Sequence, residues 1–174
     1  DAGRLFDAIC TEGKDFNLGL VGMHAVDSLR IEKGYRHWGH DLTEDDTPIE
    51  AGLAFTVAWD KPGGFLGREA LLTQRAQAAP GKRMVQFVLH DPVPMLYHNE
   101  PIYRDGQLLG LTSSAAYGHH IGGAVALGYI HCDERITADF VASGKWEIEI
   151  GLERFAATAS LRPLHDPTNA RMRC

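Results

Sequence analysis

The chain has 174 residues, 44 % of them hydrophobic and 23 % charged, which is ordinary for a folded globular protein and enough for one or two domains with their own cores. The net charge is −6 with no lysine or arginine run, which argues against a nucleic-acid surface, and no apolar stretch approaches the length of a membrane span. Cys10, Cys132 and Cys174 are widely separated and odd in number, a pattern that fits reduced thiols in a reducing compartment.

In chain order, Arg4 to Lys14 is predicted as a helix with Leu5, Ala8 and Ile9 on one stripe and Gly13 at its end. Asn17 to Val21 is an extended connection. His24 to Lys33 is a second helix, stopped by Gly34. In it Val26 and Leu29 share a face, and Arg30 lies at the margin of that face, where a guanidinium requires an acceptor. Two readings stay open: Arg30 braces Asp27 one turn back, or it forms an anion site for a ligand carboxylate. His40 to Asp46 is a polar loop whose acids, Asp41, Glu44, Asp45 and Asp46, are expected to be solvated. Thr47 and Pro48 suit the N-cap and first position of a helical turn. Leu53 to Trp59 is predicted as a strand with Phe55, Val57 and Trp59 on one side. A turn at Lys61-Pro62-Gly63-Gly64 follows, and then a helix over Arg68 to Gln77 that turns Ala70, Leu71 and the neighbourhood of Gln74 inward.

Ala78-Ala79-Pro80-Gly81 is the boundary candidate, dividing the chain into 1–79 and 80–174. Beyond it the apolar period changes from 3.6 to 2. Met84 to Leu89, Pro101 to Arg104, Gln107 to Leu111, Val125 to Ile130, Trp146 to Ile150 and Ala156 to Leu161 are predicted strands, and Asp105-Gly106 is a hairpin turn. Short strands with glycine turns point to a small antiparallel barrel, so the fold class is α+β.

The usual chemical signatures fail on spacing. His119 and His120 are adjacent, so on a strand they point apart and cannot easily share a metal ion, and no HExxH or paired-cysteine spacing supports His37 and His40. Gly118 to Gly123 is glycine-rich but does not open a helix, so no phosphate cradle is expected. No GxSxG elbow is present, and Cys132 at a strand end reads as structural. No metal site is therefore assigned, nor any catalytic residue within the chain.

Three blocks carry a family resemblance. Ser28-Leu29-Arg30-Ile31-Glu32-Lys33-Gly34 resembles the S-L-R-x-E-x-G stretch of the glycine-cleavage T-protein (aminomethyltransferase) family. Asp46-Thr47-Pro48-Ile49-Glu50-Ala51-Gly52-Leu53 and Phe65-Leu66-Gly67-Arg68-Glu69-Ala70-Leu71 continue it in the family's order and spacing. Glu32-Lys33-Gly34-Tyr35-Arg36-His37-Trp38 and the ending Pro163-Leu164-His165-Asp166-Pro167 are most similar to the sarcosine and dimethylglycine dehydrogenase branch. The resemblance implies the end of a folate-binding α/β domain followed by a small antiparallel β-barrel. It implies tetrahydrofolate as ligand and a one-carbon transfer from an amine onto it. FAD is expected only in a further, upstream domain of the same polypeptide.

By position, the resemblance makes Arg30 a folate contact, with Arg171 in the C-terminal tail as a looser candidate. Tyr35 and Trp38 offer flat faces for the ring system, or else pack in the core or between domains. The absent initiator methionine makes the chain look like a fragment, with the family's catalytic acid expected upstream of Asp1. The upstream remainder is the expected partner, with no nucleic acid and no membrane. The expected compartment is the cytoplasm, or the mitochondrial matrix in a eukaryote. The alternative is a non-catalytic folate-binding or scaffold protein of the same fold. An iron–sulfur assembly factor of the superfamily is disfavoured, because Glu32-Lys33-Gly34-Tyr35 lacks the cysteine of that motif.

Overall fold

A computed structural model describes residues 1–77 and 81–173. Helices come first: α1 (Ala2–Glu12), a 3-10 turn (Gly13–Phe16), α2 (Met23–Glu32), a 3-10 turn (Ala54–Thr56) and α3 (Arg68–Ala76). Six strands follow: β1 (Lys82–Leu89), β2 (Pro101–Arg104), β3 (Gln107–Gly118), β4 (Gly123–His131), β5 (Trp146–Ile150) and β6 (Glu153–Ser160), with α4 (Ala138–Ser143) between β4 and β5. The expected α+β class is what forms, and the strands close into a barrel in the order β1-β4-β3-β2-β5-β6, every pair antiparallel. Closure leaves no unpaired edge.

Alternation along the strands fills the barrel. Phe87, Ile102, Ile130 and Ile148 are fully buried inside it, and Trp146 meets Phe87 edge-on at 5.6 Å while its indole N–H donates to the Val141 carbonyl at 2.8 Å. The β2–β3 turn forms as expected, with Asp105 and Gly106 both at positive φ. Gly110 is required by close strand approach, since a Cβ there would lie 1.9 Å from the Tyr129 carbonyl oxygen. Outside the barrel, Ile31 at the end of α2 packs on Met84, Val125 and Leu127, which docks α2 on the β1–β4 wall.

The sequence reading needs several corrections. Leu53 to Trp59 is not a strand: Thr56 turns back to bond the Leu53 carbonyl through both its amide (2.9 Å) and its hydroxyl (2.7 Å). Phe55 is 82 % exposed, and among the described residues no ladder partner lies beside this segment. The α3 helix has no buried residue and Ala70 is exposed, although Gln74 does reach Glu50 at 3.3 Å. β3 runs on to Gly118, well past the predicted end at Leu111, and α4 was not foreseen. Thr47 caps as expected, but Pro48 to Ala51 forms a turn and no helix: the Thr47 hydroxyl accepts from the Glu50 amide at 3.2 Å and the Glu50 carboxylate accepts from the Thr47 amide at 3.0 Å. His119 and His120 lie in the β3–β4 turn and not on a strand. Within the boundary candidate, Ala78, Ala79 and Pro80 lie outside the described residues, as does Cys174.

Candidate functional site

Two acids, one serine and a backbone carbonyl meet the Arg30 guanidinium on the barrel side of α2. Its Nε donates to Asp27 Oδ1 at 3.1 Å, Nη1 donates to Asp41 Oδ2 at 2.5 Å and to the Tyr35 carbonyl at 3.4 Å, and Nη2 donates to Ser114 Oγ at 2.8 Å. A guanidinium has five N–H bonds. Four are thus committed within the chain, and one on Nη2 is left.

Asp41 is the surprise of the polar loop. Its side chain is 0 % exposed, against the expectation that the loop's acids are solvated; Glu44 and Asp45 do follow that expectation. Burial of a carboxylate is tolerated only with donors around it, and Asp41 has three. Besides Arg30, the His37 amide donates at 2.8 Å and the Ser113 hydroxyl at 2.5 Å.

The serines are presented together because β3 is irregular where it faces β4, with its register shifting between Thr112 and Ser114. A bulge breaks the strict in–out alternation. The consecutive hydroxyls of Ser113 and Ser114 therefore both reach toward α2 and its following loop. Ser28 Oγ also donates to the Tyr117 carbonyl at 2.6 Å, fixing α2 along β3.

Glu32, one turn beyond Ser28, is buried and does a different job. Its Oε1 accepts from the backbone amides of His120 (2.7 Å) and Ile121 (3.1 Å), and its Oε2 is 3.0 Å from His120 Nδ1. Burial works against its ionised form. The hydrogen bonds from the His120 side chain and from the His120 and Ile121 amides nevertheless hold its pKa below the ordinary carboxylate value. This carboxylate pins the β3–β4 turn beneath α2. The glutamate of S-L-R-x-E-x-G is thus structural here.

A cleft of about 540 Å³ opens beside Arg30, within the range of roughly 300–1,000 Å³ common for small-molecule sites. One wall is α2, through His24, Asp27 and Arg30. The floor is β3, through Ser113, Ser114 and Ala115, with Tyr117 and His119 at its far end in edge-on contact at 5.2 Å. The other wall is the segment from Pro92 to His98, anchored by the buried Leu96 and carrying Met95 and Tyr97 outward. The chemistry on offer is a cationic donor at one side and flat or flexible apolar faces across from it. This suits a planar heterocycle ending in a carboxylate.

The four residues singled out from the sequence do not all meet. Arg30 lines the cleft; Tyr35, Trp38 and Arg171 do not. Tyr35 gives its carbonyl to Arg30, but its hydroxyl lies 3.2 Å from Met172 Sδ in the C-terminal 3-10 turn Ala170–Met172, which also contains Arg171. Trp38 is 65 % exposed on the loop after α2. Asp41, Ser113, Ser114 and Tyr97 were missed. A polar Ser-Ser pair that interrupts the alternation of β3 was the available signal for the bulge. Among the described residues no group of three or more His, Cys, Asp or Glu side chains is placed to hold a metal ion, and no helix is long and apolar enough to cross a membrane.

A barrel built on this arrangement, preceded by an S-L-R-x-E-x-G helix, defines a family: the chain belongs to the glycine-cleavage T-protein family. Residues 1–61 match the GCVT N-terminal domain, and residues 82–166 match the glycine cleavage T-protein C-terminal barrel domain. Among curated relatives, 4-methylaminobutanoate oxidase (formaldehyde-forming) of Paenarthrobacter nicotinovorans is 42 % identical over 99 % of this chain and 20 % of its own length. Human mitochondrial sarcosine dehydrogenase is 43 % identical over 97 % of this chain and 18 % of its own. The chain thus spans about a fifth of the length of these relatives. The crystal structure of glycine cleavage system aminomethyltransferase T from Bartonella henselae superposes with a TM-score of 0.75 at 25 % identity, over 92 % of this chain and 44 % of that one.

Proposed function

We propose that the chain is part of a tetrahydrofolate-dependent one-carbon (aminomethyl) transfer module of a sarcosine or dimethylglycine dehydrogenase-like flavoprotein, and that the cleft beside α2 receives the folate. The single observation that carries this reading is Arg30, a cation held at the cleft wall with one N–H uncommitted. Folate ends in a glutamate, whose carboxylate is the natural acceptor for such a donor. The residues fit the ligand: an aromatic and thioether wall from Tyr97 and Met95 for the flat part, and Arg30 for the charged end. Within the module this chain binds and orients folate and shields one side of it from water. The acid that moves protons, and the FAD that oxidises the amine, belong in this proposal to further parts of a longer polypeptide.

Tyr35, Trp38 and Arg171 enter the proposal as contacts outside the cleft, at the loop after α2 and the C-terminal turn. The division near 79 and 80 is kept as the limit between the folate-domain segment and the barrel. The matrix in a eukaryote, or the cytoplasm otherwise, is the proposed compartment.

The test is a tetrahydrofolate titration of the longer protein. A charge-assisted hydrogen bond is worth about 1.5–3 kcal/mol, so Arg30→Ala should weaken binding roughly 10- to 150-fold. Arg30→Lys should restore only part of it, since a point charge cannot keep Asp27, Asp41 and Ser114 engaged together. Unchanged affinity in Arg30→Ala would remove the folate contact from this residue. Tight folate binding without one-carbon transfer would instead favour the scaffold reading.

A further inference from the structure

Arg30 carries two acidic partners of opposite character. Asp41 is sealed, its side chain 0 % exposed, with three donors fixing both oxygens. Asp27 is 45 % exposed, lines the cleft, and holds Arg30 through the single Nε contact of 3.1 Å. A ligand carboxylate arriving at Arg30 meets two like charges around one guanidinium. Asp41 cannot leave without stripping a buried carboxylate of its donors. Asp27 can, since its one bond is at the solvent edge, where such a pair is weak.

We propose that Asp27 is an internal stand-in for the ligand's carboxylate. It holds Arg30 in its binding orientation when the cleft is empty, and the incoming carboxylate displaces it. Displacement frees the Nε–H to join the remaining Nη2–H, so a donor with one free N–H becomes one with two. Asp27 is thereby a specificity-determining residue: it sets a threshold that only a ligand bringing its own carboxylate to Arg30 can cross. The inference rests on the folate reading above.

The test compares wild type and Asp27→Asn in the full-length protein, titrated with tetrahydrofolate and with a tetrahydropterin that lacks the glutamate. Loss of the competing charge should tighten tetrahydrofolate about 2- to 5-fold, the range set by exposed ion pairs, and leave the tetrahydropterin unchanged. A melting curve alongside checks the fold. An effect of Asp27 through helix bracing alone would weaken both ligands or change neither. Unchanged or weaker tetrahydrofolate binding in Asp27→Asn, or equal tightening of both ligands, overturns the inference and leaves the folate site standing. Wild-type protein that binds no tetrahydrofolate overturns both.

Discussion

The barrel keeps Phe87, Ile102, Ile130 and Ile148 entirely from solvent, whereas α1 leaves Leu5, Phe6 and Ile9 at 63 %, 52 % and 51 % exposure. Both regions carry a clear apolar pattern, yet only one is satisfied by its own chain. In the barrel, closure pairs all six strands and the inward-facing positions fill the core. In the helical region α2 is docked through Ile31 against the β1–β4 wall, Glu32 beneath the β3–β4 turn and Ser28 on β3, while α1 and α3 bury no residue. The cleft lies where these two regimes meet, one wall helical and the floor from the barrel. A self-contained scaffold thus positions a donor that comes from the more open part.

The contrast is sharpened most by core truncation. Phe87→Ala removes a fully buried ring that touches Trp146 and should cost about 3–5 kcal/mol in chemical denaturation. Leu5→Ala, on the exposed face of α1, should change stability by less than about 0.5 kcal/mol. If the two costs were similar, the division of the molecule into a sealed and an open region would be wrong.

A smaller effect is expected at the joint between the regions. Glu32→Gln keeps the shape but removes the charge that holds the His120 and Ile121 amides, for a loss of about 1–3 kcal/mol at neutral pH. The folded-state pKa of Glu32 is lowered from 4.5. Its stabilisation is therefore fully present above 4.5 and is lost as pH falls through the lower folded value. Asp46 behaves likewise: burial opposes its charge, but the hydrogen bond from Lys82 (2.6 Å) and those from Thr43 hold its pKa below the ordinary value. Melting temperature followed down to about pH 3 should fall in wild type, and fall less steeply in Glu32→Gln. Parallel curves would show that Glu32 is not ionised in the folded protein.

Much of this was legible beforehand where the pattern is local. β2 and β5 have the predicted bounds, and Asp105-Gly106 marks its turn, because alternation and turn chemistry are properties of neighbours in sequence. The predicted strand stops at Leu111, whereas Thr112 to Tyr117 is kept in β3 by pairing with β4 and, for Ser113 and Ser114, by bonds to Asp41 and Arg30. Leu53 to Trp59 failed in the opposite sense: alternation without a neighbouring strand gives no ladder. At the site, Arg30 and its Asp27 partner were visible as an i, i+3 pair. Asp41 was not, because a charge run carries no mark of which acid has a guanidinium and a serine waiting for it elsewhere in the fold.

The most direct measurement is hydrogen exchange of the full-length protein with and without tetrahydrofolate. Folate in the cleft should slow exchange in α2 and the loop to Asp41, along Pro92 to His98, and around Ser113 and Ser114, while the already protected interior strands β1 and β4 stay unchanged. Protection confined to other segments, with α2 and Pro92 to His98 unaffected at saturating folate, would contradict the account.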